Sequence, residues 1–210
     1  MGTSTEASLS RVERRKARTN KRLLEVARQL FSEKGIYWAK VEDITELADL
    51  GKGTFYKYFD SKEQIISALV EEGLSDLLAK TEAAVHAASS DGRIILNVIG
   101  ARVDFFLAYP DYLLLLHQVR GLMQLQVGVA EELRVIYAMH LSGIAKLVKP
   151  VIGSTNAHDV AVAIAAYTSG LMTYHLLFEG IEGIRRRRNE LVLVLDQSVQ
   201  VLLKVGRPRT

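Results

Sequence analysis

Between Val41 and Phe59 the chain places two helical patterns on either side of a tight turn, and few architectures accept that spacing. Val41, Ile44 and Ala48 recur at i, i+3 and i+7, and Phe55 and Phe59 at i, i+4. Between them lies Asp49-Leu50-Gly51, two of whose residues tolerate positive φ. Two short helices joined by such a turn describe a helix-turn-helix, whose second helix docks in the DNA major groove. The spacing predicts that second helix over 52–59, with Phe55 and Phe59 inward. Lys52 and Lys57 would supply charge and Thr54 and Tyr56 hydroxyls for phosphate or base edges. Gly53 costs a helix about 1 kcal/mol relative to Ala, so it needs a reason, and close approach of a nucleic-acid backbone is one.

The remaining pattern is helical as well, which makes the expected fold class all-α. Leu23, Leu24, Ala27, Leu30 and Phe31 share one face, and Lys34-Gly35 ends it with a cation and a residue suited to a left-handed cap. Ser61-Lys62-Glu63-Gln64 reads as a capping box opening a long helix to about residue 88. Ser89-Ser90-Asp91-Gly92, Tyr109-Pro110-Asp111, the loop 150–156 and the glycines at 180 and 183 separate further helices, the last running from about 186 to 205. No alternating strand pattern and no internal repeat appears. With no cysteine in the 210 residues, disulfides, thiolate nucleophiles and cysteine-ligated zinc are excluded. A short polar opening without a signal segment leads us to expect a cytoplasmic protein.

Charge is unevenly placed. The net +3 resides in residues 1–63, and seven cations (Arg11, Arg14, Arg15, Lys16, Arg18, Lys21, Arg22) crowd one stretch against a single acid, Glu13. A polyanion suits such a stretch, because each neutralised phosphate releases counterions.

The uncharged run 160–178 has the length of a membrane span. It carries Tyr167, Thr168, Ser169, Thr173, Tyr174 and His175, however, and lacks anchoring residues at both ends. A helix buried between subunits accounts for it better, and no membrane is expected. Small residues Ala161, Ala165 and Ser169, with Leu191, Leu195, Val199 and Leu202 on the last helix, would form a four-helix seam about a two-fold axis, giving a homodimer.

Leu24-x2-Ala27-x2-Leu30-Phe31-x3-Gly35, Val41-x-Asp43-Ile44 and Lys52-Gly53-Thr54-Phe55-Tyr56-x2-Phe59-x-Ser61-Lys62-Glu63 together resemble the DNA-binding domain of tetracycline-repressor-like (TetR family) transcriptional regulators. The resemblance covers roughly residues 20–66. It implies an all-α homodimer with a three-helix N-terminal DNA-binding domain and a larger helical domain for ligand binding and dimerisation. The division expected is a basic arm over 1–19, a helix-turn-helix domain over 20–60 and the second domain over 61–210. Position by position it assigns Lys52, Gly53, Thr54, Tyr56 and Tyr58 to the recognition helix and Lys62 to a phosphate. Arg18, Lys40 and Lys57 join them as candidate DNA contacts. Ala39 and Lys40 stand where the family has Thr or Ser opening helix two, which removes an N-cap worth about 1 kcal/mol. Asp49 replaces a turn Gly, Gly51 an N-cap Ser and Tyr58 a common His.

Phe105, Phe106, Tyr109, Tyr112, His117, Met123, Tyr137, His140 and Tyr174 are candidates to line a pocket between helices. His175 and Glu179 have a spacing that can share a metal, but no third ligand is evident, so no metal and no cofactor are expected. The run Arg185 to Arg188 reads as a solvated helix start. Gly51-Lys52-Gly53-Thr54 fails as a phosphate loop because Glu46 stands where the first Gly is required, and no other enzyme motif is present. The expected function is a DNA-binding repressor released from double-stranded operator DNA by a small hydrophobic effector. The alternative is a helical carrier or sensor of hydrophobic molecules that does not bind DNA.

Overall fold

Ser10 starts the first helix with a reciprocal cap. Its hydroxyl accepts the Glu13 N–H at 3.2 Å, and the Glu13 carboxylate accepts the Ser10 N–H at 2.7 Å. In this computed structural model, which describes residues 10–87, 93–125 and 128–205, eight helices follow in order. They are α1 (Arg11–Lys34), α2 (Val41–Leu47), α3 (Lys52–Phe55), α4 (Lys62–Ala87), α5 (Ile94–Ala108), α6 (Pro110–Gln124), α7 (Ala130–Ile152) and α8 (Ala157–Val205). No strand occurs among the described residues. The turn expected at Ser89–Gly92 lies outside them. Two compact units divide the chain, one ending at Leu69 and one beginning at Val70.

In the first unit the basic stretch 11–19 is the opening of α1 rather than an arm apart from it. Apolar periodicity begins only at Leu23 because residues 11–18 are all exposed, so they carry no inward stripe for a sequence pattern to reveal. Leu23, Val26, Ala27, Leu30 and Phe31 are buried. Gly35 ends the helix at φ 82°, its N–H on the Phe31 carbonyl. α2 starts without a side-chain cap from Lys40. Asp43 makes the other half of a capping box, its carboxylate accepting the Lys40 N–H at 3.0 Å. The turn's left-handed residue is Asp49 at φ 56°, whereas Gly51 sits in ordinary extended backbone as the N-cap of α3. α3 is shorter than the spacing suggests. Beyond Phe55 the backbone tightens into i→i+3 bonds, Lys57 N–H to Thr54 and Tyr58 N–H to Phe55. The Ser61 hydroxyl caps Gln64 N–H as expected, but the Gln64 side chain reaches back to Asp60 N–H, not Ser61.

In the second unit α5 and α7 pack against α8, which is broken at Gly180 (φ 70°) into limbs 157–179 and 181–205. The apolar run of the first limb is explained by packing, since Val160, Ala161, Ile164, Thr168 and Met172 are all buried in the unit. The arginine run is largely paired rather than merely solvated. Arg188 grips Asp104 of α5 through Nε at 2.8 Å and Nη2 at 2.6 Å, and Arg187 spans Glu179 and Glu190. α4 approaches its neighbours closely: a Cβ at Gly73 would lie 2.4 Å from the ring of buried Tyr112, and one at Gly143 would lie 2.4 Å from Leu78. Gly73→Ala should therefore destabilise the second unit by about 1–3 kcal/mol through overpacking. Chemical denaturation checks this, and an unchanged midpoint would contradict the close approach.

Candidate nucleic-acid face and ligand cavity

Phe55 and Phe59 determine how the turn-helix segment presents itself. Both rings are buried, 5.7 Å apart, and their burial turns Lys52, Gly53, Tyr56 and Lys57 to solvent, with Tyr56 47% exposed. Thr54 and Tyr58 are half-buried at the edge of this face, and Lys40 and Arg18 are exposed. Lys52 is held by the carboxylate of Glu42 on α2, an ion pair that keeps the ammonium charged and the Glu42 carboxyl below its usual range. A Cβ at Gly53 would meet nothing within 4 Å, so packing inside the chain supplies no reason for glycine there.

Lys62 is placed differently from the other cations. Its ammonium donates to the carbonyls of Ile36 at 2.8 Å and Ala39 at 3.1 Å, bracing the loop between α1 and α2. No local pattern signals such a role, because the acceptors are backbone atoms more than twenty residues away. Pattern reading also passes over Trp38. It is the single tryptophan of the chain, 81% exposed, two residues before Lys40.

The second unit encloses a cavity of about 470 Å³, within the usual size of small-molecule sites. Of the pocket candidates, Phe106, Met123, Tyr137 and His140 line it. Phe105, Tyr109 and Tyr112 instead form an aromatic cluster capped by the Lys80 ammonium. His117 is exposed and Tyr174 belongs to a separate surface groove. Phe105 lies on α5, Tyr112 on α6 and Tyr174 on α8, helices with apolar residues on more than one side, and periodicity cannot tell which side meets a void. Three arginines that sequence reading did not select line the cavity, Arg102, Arg120 and Arg134.

Arg102 is the unusual group. It is 2% exposed, its Nη1 donates to His140 Nε2 at 2.8 Å, and its buried Nε has no partner. Because a guanidinium only donates, Nε2 must accept, and the Nδ1–H of His140 then donates to the Leu74 carbonyl at 3.1 Å. His140 is thus a neutral imidazole in a fixed tautomer. Burial, and then the Arg102 charge, push its pKa down to about 3. Burial alone pushes Arg102 down to about 10, which leaves it charged at neutral pH.

The residues expected at the dimer seam are mostly spent inside the protomer. Ala161, Ser169, Leu191, Leu195 and Val199 are buried and Ala165 is half-buried, while Leu202 is 42% exposed. α8 is apolar nearly all round, so its inner stripe packs on α5 and α7 and a second stripe faces out. Tyr167, Tyr174, Phe178, Val194 and Val201 carry that outer stripe, and Ala166, Gly170 and Leu171 join most of them around an open groove of about 680 Å³. His175 Nδ1 pairs with Glu179 at 2.7 Å, and among the described residues no cluster of three metal-ligating side chains occurs.

The His140 environment sets a pH dependence. Between its folded value of about 3 and its ordinary value of 6.5, the unfolded chain binds a proton that the folded chain refuses, so stability falls as pH falls below 6.5. From pH 7 to pH 5 this amounts to about 2 kcal/mol. His140→Asn should lose about that share of the wild-type decline, measured by denaturation at both pH values. An identical decline in both proteins would refute the buried neutral imidazole.

Residues 23–69 match the profile of bacterial regulatory proteins of the tetR family. The uncharacterised HTH-type transcriptional regulator YvdT of Bacillus subtilis (strain 168) is 33% identical over 78 residues, 37% of this chain and 40% of the relative. The HTH-type transcriptional repressor KstR2 of Rhodococcus jostii (strain RHA1) is 35% identical over 77 residues, 37% of each. The chain thus spans about two-fifths of the length of these curated relatives. The solved structure of the transcriptional regulator FadR from Bacillus subtilis in complex with stearoyl-CoA shares the fold at a TM-score of 0.70 and 16% identity, over 83% of this chain and 96% of that one. The helix-turn-helix geometry and the N-terminal profile of tetR-family regulatory proteins thus coincide in one segment, residues 23–69, and the chain as a whole shares its fold with solved structures of transcriptional regulators.

Proposed function

We propose that this protein is a cytoplasmic, dimeric repressor that binds double-stranded operator DNA through its first unit and is released by a small molecule held in its second. The observation that carries the reading is the outward face set by Phe55 and Phe59. Lys52, Gly53, Tyr56 and Lys57 stand exposed on a segment whose apolar side is buried. Arg18 and the other exposed cations opening α1 add the charge that phosphates recruit. Thr54, Tyr58 and Lys40 complete the contact set, and Lys62 supports it by bracing the loop that leads into α2.

Dimerisation falls to the outer stripe of α8 rather than the inner one, since a contiguous exposed apolar face marks an interaction surface. The cavity supports the effector. It is mostly apolar, and the FadR structure with stearoyl-CoA supports a ligand with a long apolar portion for this fold. α4 lends Leu74 to the cavity wall and begins at Lys62 in the first unit, so the helix is common to both. Release requires that the effector bind the DNA-incompetent arrangement more tightly, because equal affinity shifts no population.

The test is binding to duplexes recovered from a random-sequence pool, read by Trp38 emission at a series of salt concentrations. A repressor gives an emission change and a steep inverse salt dependence, and Lys57→Ala flattens the logarithmic slope by about one. A carrier that ignores DNA gives neither. Gly53→Ala provides a second, independent outcome. With open space around it and ordinary φ, alanine should leave stability unchanged or raise it by up to about 1 kcal/mol. It should nonetheless weaken duplex binding at least tenfold, because the added methyl occupies the line of backbone approach. Undiminished binding by a stable Gly53→Ala protein would remove Gly53 from the interface.

A further inference from the structure

We propose that the cavity of the second unit is built for an amphipathic organic anion, an apolar body bearing a carboxylate-like head that pairs with Arg102. The inference rests on the reading of this cavity as the effector site and specifies what the effector must carry.

Burying a charge without a counter-ion is among the costliest arrangements a fold can retain. Arg102 is nearly inaccessible, its one hydrogen-bond partner on the cavity wall is the neutral His140, and its Nε is unpaired. Among the described residues no carboxylate pairs with it, and the cavity lining contains no Asp or Glu at all. The other two guanidiniums are only partly committed. Arg120 donates to Ser169 Oγ at 2.8 Å, and Arg134 donates to the Met123 carbonyl at 2.9 Å and to Glu131, an exposed carboxylate outside the lining. The remaining polar groups of the wall do not neutralise the charge. Tyr137 donates to the Leu116 carbonyl, and burial holds it as a phenol. Around this positive side the wall is apolar, with Leu74, Phe106, Leu116, Leu141, Val162 and Ala165.

With Nη1 engaged by His140, the unused edge of Arg102 includes Nε, and a side-on pair with two carboxylate oxygens fills such an edge. His140 positions the guanidinium: its own Nδ1–H is anchored on the Leu74 carbonyl, which fixes the direction in which Nε2 receives Nη1. A cationic or purely neutral ligand would leave the buried charge uncompensated, so the cavity favours an anion over either.

Calorimetry on the full chain without DNA tests this apart from any repressor activity. The probes are dodecanoate and 1-naphthaleneacetate, each beside its methyl ester, with dodecyltrimethylammonium as the opposite charge. At least one acid should bind ten times more tightly than its ester, and the cation should bind most weakly of its chain length. Arg102→Met should erase the acid-over-ester preference while raising the melting temperature of the empty protein, because the unpaired charge is gone. A lowered melting temperature together with a retained preference would make Arg102 a structural residue and overturn the proposal. Equal binding of acids and esters, or no binding of either acid, would overturn it too. Should Arg102→Met fail to fold, Arg120→Gln provides the same readout: the preference must shrink, and an undiminished preference counts against the site. Acid binding without any effect on duplex affinity would leave the anion site standing and refute the repressor reading alone.

Discussion

A helix of four residues has no stability of its own, since nucleating the first turn costs more than one hydrogen bond returns. α3 exists because Phe55 and Phe59 are buried in the first unit, and the α1 stripe and Ile36, Ala39 and Ile44 form the apolar core of that unit. The outward face proposed to meet nucleic acid follows from that anchoring. It fixes the rotation of the segment, and rotation decides whether Lys52, Gly53, Tyr56 and Lys57 are surface or interior. Lys62 extends the same constraint, because its two carbonyl partners belong to the loop that sets where α2 begins.

Much of this unit is legible from the chain alone because its determinants are local. The i, i+4 aromatics, the Gly35 stop and the Ser61 cap each act within a turn of themselves, and each is found where its spacing implies. The departures are instructive for the same reason. Asp43 supplies only the reciprocal half of a capping box, accepting the Lys40 N–H, and Asp49 rather than Gly51 adopts the left-handed conformation. The helical start at Arg11 carries no apolar stripe, and its one local signal is the cap, Ser10-x2-Glu13.

The second unit resists such reading because its helices are apolar on more than one side. Along α8, Ala161 and Leu195 on one stripe and Tyr174 and Val201 on another are indistinguishable by hydrophobicity. Only the packing of α5 and α7 decides which stripe is interior. The same ambiguity makes Phe105, Tyr109 and Tyr112 candidates for a cavity they do not line, and nothing in the pattern singles out Arg102, Arg120 and Arg134, which do line it. Arg188 and Arg102 show how little the residue type says. The first, in a conspicuous basic run, is neutralised by Asp104, whereas the second, isolated in an apolar helix, is the one without a counter-ion.

That contrast bears on why the fold tolerates Arg102. A protein selected for stability alone would replace an unpaired buried cation with a hydrophobic residue of similar volume, which is commonly neutral or stabilising. Here the surroundings do the opposite. His140 is kept neutral, so it adds no second charge, yet its tautomer is fixed so that it can accept a hydrogen bond from the guanidinium. Tyr137 is likewise held as a neutral phenol. The wall thus orients the cation without compensating it, and under the proposed reading an incoming negative charge would supply the compensation. An arrangement of this kind couples ligand binding to a large change in local free energy, and a change of that kind is what a two-state regulator requires if occupancy of one unit is to alter the state of the other.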